Sequence, residues 1–432
     1  PAGPPRKQLR MMHWSTVPRH KLSNTVWTSP AMHQDPIPVD LTDLETYFSA
    51  KPVPKDIEKD KPKEPESPSK DPKASARKTP TISLLDTKRA NNMAIMISQF
   101  KLPVAVIKQA IVDLDDSLVS SEALAKMITV FPNEEEAPVL ADYKGDLAAV
   151  GKAEAFFIQL LTVTRCRMKV GCFLYKLNYD VECDSLRGAI NTITQACEEV
   201  ITSKRFLRLL ETILAVGNFL NQGTAKGNAL GFKMDTLIKL METRSVNQQA
   251  GIVTLLHYVV FIVQQNMPSL MLFNEDMPHL EPACKVSVSA LLEQYKELKE
   301  GLLNVRKEAK ACANDSDSEV FRDKIKAFLA EADLKFALLE LDIKEMTDTL
   351  QKFAHFFGEE QETMAEELMQ LLVKFVQGFQ TCTKDLEREK EKNAKVSRLA
   401  KPADSTKESS IKSSKANLTA KKVSISEPVA AH

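Results

Sequence analysis

The sequence predicts an all-α protein, and three observations support this fold class. Apolar residues recur at helical spacing over most of the chain after Ile82. The Asn-Gly dipeptide that marks tight hairpins does not occur in the sequence. Hydrophobic residues make up 43% of the chain and charged residues 27%, a balance typical of a soluble, helix-rich protein. The clearest apolar stripe consists of Phe206, Leu209, Leu210, Ile213 and Leu214.

The same periodicity gives the order of the helices along the chain. A short amphipathic helix is predicted from Leu41 to Phe48, ahead of a break in the pattern. Longer helices are predicted over 85–100, 103–114, 118–130, 139–175, 184–200, 203–220, 233–242, 247–266, 284–310, 318–357 and 360–383.

Two segments lack the apolar residues that a core requires. Residues 51–80 contain seven prolines among lysine, serine and acidic residues, which predicts a disordered linker. Residues 393–432 contain eight lysines and arginines against three acidic residues, and they show no periodic pattern. We expect this tail to be solvated. The functional alternative is an electrostatic tether to an acidic surface, such as a filament or an anionic lipid.

Two helices carry a heptad pattern. Apolar residues step by three and four from Val288 to Val305 and again from Phe321 to Phe357, with lysine and glutamate between them. The polar break over 313–317 predicts that these helices form an antiparallel hairpin. We interpret the pattern as a seam inside one subunit, and an intermolecular coiled coil is the alternative.

A glycine- and asparagine-rich segment follows the stripe that begins at Phe206, with Ser203 as a plausible N-cap. Four of the 13 glycines of the chain fall within the 15 residues from Gly217 to Gly231. Glycine permits positive φ and close backbone approach. A phosphate-binding loop is excluded because a helix precedes the segment and Lys226-Gly227 runs in the wrong order. On pattern alone, the segment fits a helix-loop-helix of an ordinary bundle.

Both tryptophans of the chain, Trp14 and Trp27, lie ahead of the proline-rich linker. Burial of an indole stabilises a fold by a few kcal/mol, at about 25 cal/mol per Å² of apolar surface. The segment is too short to form its own core. The tryptophans are therefore expected to insert into the helical body, either of their own chain or of a second chain, and the linker permits both.

Composition excludes several classes of function. Lysine plus arginine equals aspartate plus glutamate at 58 each, so a global charge argument for nucleic-acid binding fails. Seven scattered cysteines lack the spacing of a zinc site or a disulfide framework, which suits a cytosolic protein. No apolar run reaches the ~18 residues of a membrane span. No catalytic residues, metal cluster or cofactor site is expected.

Four segments of the sequence form a recognisable set, in the order of a known family. They are His13-Trp14 with Val26-Trp27, the run from Leu84 to Ile95, the run from Gly217 to Asn221 with Gly231-Phe232, and the run from Leu240 to Ser245 with Leu255-Leu256-His257. Together they resemble the formin family, in its formin homology-two domain, over about residues 9–380. The glycine-asparagine segment is the most specific of the four.

The resemblance implies an elongated multi-helix domain made of lasso, linker, knob, coiled coil and post, with two copies in a head-to-tail dimeric ring. The implied segments are the lasso arm 1–50, the disordered linker 51–80, the knob 81–150, helices leading to the post 151–200, the post 201–280, the coiled-coil hairpin with the last helix 281–383, and the basic disordered tail 384–432.

The resemblance also implies two sets of site residues. In the family, the lasso tryptophans insert into the post of the other subunit, which favours exchange between two chains. The implied dimer interface consists of Trp14, Trp27, Gly217, Asn218, Phe219, Asn221, Gly223, Gly227, Gly231 and Phe232. The implied actin contacts are Ile95 in the knob and Arg244, where the family more often has lysine, with Lys88 and Arg89 adding basic charge. On pattern alone Ile95 fits the core of its helix, together with Met93, Ile97 and Phe100. These four residues cannot all face one core, so an exposed apolar residue is expected among them.

The function implied by the resemblance is non-enzymatic. Such a domain nucleates actin filaments and stays on the barbed end as a homodimer during processive elongation. Profilin is expected to bind only through a proline-rich region upstream of this chain, and nucleic-acid or membrane partners are not expected. The implied location is the cytoplasm, at the cytoskeleton. The alternatives are a tight barbed-end capper without elongation and a helical dimeric scaffold.

Overall fold

The computed structural model describes residues 11–23, 25–29, 41–48, 82–313, 318–359 and 364–399. These residues form α-helices and short 3-10 turns, without a β-strand among them, so the predicted all-α class is confirmed. The α-helices are α1 Leu41–Phe48, α2 Thr87–Ile97, α3 Val104–Asp113, α4 Ser121–Val130, α5 Glu136–Ala141, α6 Lys152–Leu160, α7 Cys166–Thr202, α8 Lys204–Leu220, α9 Thr236–Glu242, α10 Leu255–Asn266, α11 Leu280–Ala283, α12 Val288–Ala311, α13 Glu319–Phe356 and α14 Met364–Leu399.

The helices belong to two compact units. The first comprises Pro1–Asp56, Ala189–Val288 and Ile343–His432, and the second comprises Ile57–Gly188 and Ser289–Asp342. The long helices α7 and α13 each contribute residues to both units.

The first unit is built around α8, α10 and α14. The Ser203 hydroxyl accepts a hydrogen bond of 3.1 Å from the Phe206 N–H, and it caps α8 as the sequence predicts. Helix α10 is buried from Leu255 to Val260 on every side, because α14, α9 and the turn after α10 all pack against it. This core supports the loop that follows α8.

The second unit combines short helices with a helical hairpin. The short helices α2, α3, α4 and α6 share one apolar core with the first part of α7. The C-terminal end of α12 and the N-terminal end of α13 pack against the same core. The hairpin of α12 and α13 is antiparallel, as predicted. Lys299 pairs with Glu340 at 3.2 Å, and Arg306, later in α12, pairs with Asp333, earlier in α13. The two helices of the heptad pattern therefore pair with each other within the chain.

The single helix predicted over 139–175 is wrong. The chain breaks between α6 and α7, where Arg165 adopts a left-handed φ of 57°. Its guanidinium donates to Glu308 of α12 at 2.8 Å and 2.6 Å, and Glu308 is only 4% exposed. The partner lies far away in sequence, so apolar periodicity could not reveal the break.

The last helix differs from its predicted extent. Helix α14 continues from Met364 to Leu399, past the predicted end at 383, so residues 384–399 of the supposed tail are helical. Glutamate and lysine dominate this stretch, and both are strong helix formers. The linker 51–80 and the remaining tail 400–432 lie outside the described residues.

Candidate functional site

The N-terminal arm, residues 11–29, lies along the loop that follows α8 in the first unit. Thr16 forms an antiparallel bridge with Phe232. The Val17 N–H donates to the Gly231 carbonyl at 3.2 Å, and the Lys233 N–H donates to the Ser15 carbonyl at 2.9 Å. The arm is therefore held by main-chain hydrogen bonds on both sides of its bridge.

Trp14 fills a slot made by Gly217, and only 2% of its surface is exposed. A Cβ on Gly217 would overlap the indole ring, so the slot needs glycine. The indole N–H donates to the Lys226 carbonyl at 3.1 Å, and the ring stacks with Phe232 at 5.9 Å between centroids. Shape and a polar anchor together fix this side chain.

Trp27 also contacts Phe232, with ring centroids 4.5 Å apart and planes tilted by 57°, and it is 4% exposed. A Cβ on Gly231 would lie 2.5 Å from its Cγ atom. Its indole N–H finds no hydrogen-bond acceptor among the described residues. Trp27 is thus held by packing, whereas Trp14 is held by packing and a hydrogen bond.

Two asparagines brace this pocket. Asn221 uses both ends of its amide on the backbone of Met12, accepting from its N–H at 3.0 Å and donating to its carbonyl at 3.1 Å. The Asn218 amide donates to the Ala229 carbonyl at 2.8 Å and accepts from the Ala229 N–H at 2.7 Å, which ties the loop back to the end of α8. Buried amides of this kind are costly to leave unpaired, which accounts for asparagine at both positions.

The remaining loop residues shape the same turn. Gly223 has a φ of +81°, a conformation that favours glycine. A Cβ on Gly227 would lie 2.5 Å from the Asn221 carbonyl oxygen. Phe219 is half-buried at the end of α8. The structure therefore brings all ten residues of the implied dimer interface into one region of the first unit.

A second contact holds the end of the arm near Arg244. The Tyr47 carbonyl at the end of α1 accepts from the Val246 N–H at 2.8 Å and from the Ser245 hydroxyl at 2.9 Å. Arg244 is exposed and forms an antiparallel bridge with Thr254. Arg244 thus directly precedes the two residues that hydrogen-bond to the end of α1.

Ile95 lies on α2 in the second unit, and 63% of its surface is exposed. Met93, two residues earlier, is fully buried in the core of that unit. The Asp86 carboxylate caps the helix by accepting from the backbone N–H groups of Lys88 and Arg89. Ile95 is therefore an apolar side chain presented to solvent by a well-capped helix.

The two basic residues of α2 have different surroundings. Lys88 is exposed. The Arg89 guanidinium donates to Glu136 and to the Phe131 carbonyl, both at 3.1 Å. Arg89 therefore ties α2 to α5 and the turn before it.

Sequence reasoning missed several residues of the pocket. Met12 is fully buried, and the Asn221 amide recognises its backbone. Val17 is also buried, next to the backbone of Gly358. A hydrogen bond to the backbone does not depend on residue type, so the sequence carries no signal for it. The burial of the Met12 and Val17 side chains did have a signal, because each is an apolar residue close to Trp14.

Three buried thiols of the described chain are poorly suited to nucleophilic chemistry. Burial raises the pKa of the Cys166, Cys172 and Cys197 thiols to about 12, which disfavours the reactive thiolate. In the described ranges, no group of three or more His, Cys, Asp or Glu side chains is arranged to hold a metal. None of the helices described is both long enough and apolar enough to span a bilayer.

Comparison with known proteins identifies the family. The model of the Formin Homology 2 Domain matches residues 1–380. Formin-like protein 3 of Oryza sativa subsp. japonica is 33% identical over 430 residues, which cover 98% of this chain and 33% of that protein. Formin-like protein 14 of Arabidopsis thaliana is 32% identical over 413 residues, covering 93% of this chain and 32% of that protein.

A shorter relative is matched over most of its length. Formin-like protein 21b of Arabidopsis thaliana is 32% identical over 326 residues, covering 74% of this chain and 80% of that protein. By contrast, the chain spans about a third of the length of the other two relatives. With its glycine-lined tryptophan pocket and a family match over most of its length, the chain belongs to the formin family and carries a Formin Homology 2 Domain.

Proposed function

We propose that this chain nucleates actin filaments as a homodimer and remains at the barbed end while the filament elongates. The observation that carries the proposal is the exposure of Ile95, the position at which the resemblance implies an actin contact. A large apolar side chain held in solvent by a stable helix loses the free energy of burial, about 1.5–3 kcal/mol, unless a partner covers it. The family membership makes actin the favoured partner.

The surroundings of Ile95 support a protein contact. Asn91, Asn92, Ser98 and Gln99 are all exposed and share its side of the helix or the turn after it. These residues are polar but uncharged, so their desolvation costs less than that of charged groups. An apolar centre inside a polar rim is the usual anatomy of an interface.

Arg244 and Lys88 supply positive charge in the proposed actin contacts. Arg244 is exposed beside the residues that hydrogen-bond to the end of α1, and Lys88 is exposed at the start of α2. Arg89 remains a predicted contact whose guanidinium also binds Glu136. Arginine at 244 keeps the charge of the lysine that is more frequent in the family but presents it as a planar fork.

The dimer is proposed to form by exchange of the arm. Every contact that Trp14, Trp27 and Met12 make with the loop after α8 is equally available to the arm of a second chain. Exchange of an identical element between protomers creates a dimer without a new interface. Two such exchanges give the head-to-tail ring that the resemblance implies.

The ring explains nucleation in physical terms. Two subunits that each bind actin hold two monomers side by side, which lowers the entropic cost of forming a nucleus. Once a filament exists, one half of the ring can release and rebind while the other half holds. The chain thereby acts without a catalysed reaction, at the cytoplasmic cytoskeleton, and the involvement of profilin stays a prediction tied to proline-rich sequence upstream.

The experiment is a pyrene-actin assembly assay on the wild-type chain and on Ile95→Ala, with growth from seeds measured alongside. Leu334→Ala is the matched control, because Leu334 is a large apolar residue that is 72% exposed on α13. We expect a shortened lag for the wild type and the control, and loss of this effect in Ile95→Ala.

The other outcomes identify the alternatives. Blocked growth from barbed ends without faster nucleation assigns a capper. No effect of the wild type on either reaction overturns the proposal and favours a dimeric scaffold.

A further inference from the structure

A second candidate surface lies in the short-helix part of the second unit, away from the exposed side of Ile95. A groove of about 310 Å³ opens between the end of α2, the turn that leads into α3, and one side of α6. Such a volume is at the lower end of the range for ligand sites and accommodates one or two large side chains. Its lining includes Ile97, Phe100, Leu102, Val104, Phe156 and Lys152.

The floor of the groove is aromatic and preformed. Phe156 is buried and stacks with Phe100, with ring centroids 5.9 Å apart and planes 16° from parallel. Leu102 projects beside them and is 37% exposed. Phe100 and Leu102 keep apolar surface in contact with water, so an apolar side chain of a partner gains free energy by covering it.

The rim of the groove is positively charged. Lys152 lines it from the start of α6, and the exposed Lys101 lies in the turn between two lining residues. From Thr87 to Val112 the chain contains four basic residues and no acidic one. Glu154, next to Ala155 on α6, is buried and accepts from the N–H groups of Leu84, Leu85 and Gly151. Its carboxylate is therefore turned to the backbone and not to the solvent-exposed rim.

From this combination we propose that the groove docks an acidic peptide segment of a partner protein, one that inserts a phenylalanine or leucine and places carboxylates against Lys152 and Lys101. The apolar floor selects the inserted side chain, and the charged rim selects acidic neighbours. This partner is distinct from actin, so the inference goes beyond the proposed filament activity.

The test uses fluorescence polarisation on the full chain, without actin. The probe is a labelled peptide with Phe and Leu one helical turn apart among Glu and Asp. Two companion peptides replace either the acids by Gln and Asn or the apolar pair by Ala. We expect saturable binding of the first peptide, weakened by salt, and roughly tenfold weaker binding of each companion, a change of about 1.4 kcal/mol.

Two variants place the binding in the groove. Ala155→Phe fills the space beside Phe156, and Lys152→Glu reverses the rim charge; each is expected to weaken binding by roughly tenfold. Their controls are Ala337→Phe and Lys307→Glu, which make the same changes at exposed positions of α13 and α12. A thermal melt checks that Ala155→Phe is folded. Lys152→Glu changes an exposed side chain, so it tests the groove even if Ala155→Phe does not fold.

The proposal is overturned by any of three results. The wild type fails to bind the acidic peptide, the two control variants weaken binding as much as the groove variants, or the groove variants keep peptide binding while they slow pyrene-actin assembly. The last result assigns the groove to actin. Because the peptide measurement contains no actin, its failure is distinguishable from failure of the filament proposal.

Discussion

Gly231 lies directly against the indole of Trp27, and a single methyl group at this glycine would come within 2.5 Å of the ring. The same relationship holds between Gly217 and Trp14, where an added methyl group would overlap the ring. The two tryptophans thus fit because Gly217 and Gly231 have no side chain, and adding one methyl group at either glycine tests this packing.

The first prediction concerns Gly231→Ala. The added methyl must displace Trp27 or the loop, and overpacking of this kind costs about 1–3 kcal/mol. We expect a red shift of tryptophan fluorescence and a greater fraction of monomer in light scattering. Gly171→Ala is the control, because a Cβ there meets nothing within 4 Å and alanine favours the helix. Equal behaviour of the two variants would contradict the slot.

The second prediction concerns Asn221→Ala. The change leaves the buried N–H of Met12 without its partner, which costs about 1–3 kcal/mol, whereas the Met12 carbonyl still accepts from the Trp14 N–H at 3.1 Å. We expect faster amide hydrogen exchange at Met12 and earlier proteolysis of the arm. Asn218→Ala provides the contrast, since the Asn218 amide pairs with the backbone of Ala229 and not with that of Met12. Unchanged exchange at Met12 would remove Asn221 from the arm's anchorage.

The third prediction concerns Arg165 at the break between α6 and α7. Arg165→Ala leaves the buried Glu308 carboxylate without its cation, and breaking a buried pair costs about 3–5 kcal/mol. Because Arg165 itself is 46% exposed, we expect the lower end of this range and a lower melting temperature. Adding Glu308→Gln should recover part of the loss, and no recovery would show that charge is not the cause.

The fourth prediction concerns acid sensitivity through His257. Burial lowers the pKa of this imidazole below its ordinary 6.5, and Asp385 only partly opposes the shift. Asp385 lies 3.8 Å from its Nε2 atom, and the neighbours of its Nδ1 atom are the Thr254 hydroxyl at 2.8 Å and the Cys382 thiol at 3.4 Å. Below pH 6.5 the unfolded chain takes up a proton that the folded chain does not, so stability falls from there toward the lowered pKa.

The measurement is the free energy of unfolding of the first unit as a function of pH. His257→Gln should flatten the profile below pH 6.5, and Asp385→Asn should extend the loss to lower pH because it removes the charge that favours the imidazolium. His20→Gln, at an exposed position of the arm, is expected to leave the profile unchanged. An identical acid slope in His257→Gln would assign the sensitivity to other groups.

The helices were largely predictable because their signal is local. The stripe from Phe206 places α8 within one residue of its observed start, since apolar spacing and a capping serine act over a few positions. The break at Arg165 was not predictable, because it depends on Glu308, which is distant in sequence. The helical stretch up to Leu399 was missed because it relies on helix propensity rather than on an apolar stripe.

In the candidate site too, some features had a signal in the sequence and others had none. Glycine and tryptophan marked the pocket, since each residue type signals an unusual steric demand. The contact of Asn221 with Met12 left no comparable signal, because a backbone partner has no residue identity. The number of apolar residues around α2 indicated that one of them is exposed, but the apolar pattern did not identify Ile95 as that residue.

The arm is recognised partly through atoms that every amino acid possesses. Met12, Ser15 and Val17 each contribute main-chain groups to the pocket, whereas the buried side chains of the arm are the two indoles and a few apolar residues such as Met12 and Val17. Substitution at solvent-facing arm positions such as Ser15 is therefore expected to leave docking intact, because such a position contributes only its backbone to the contact.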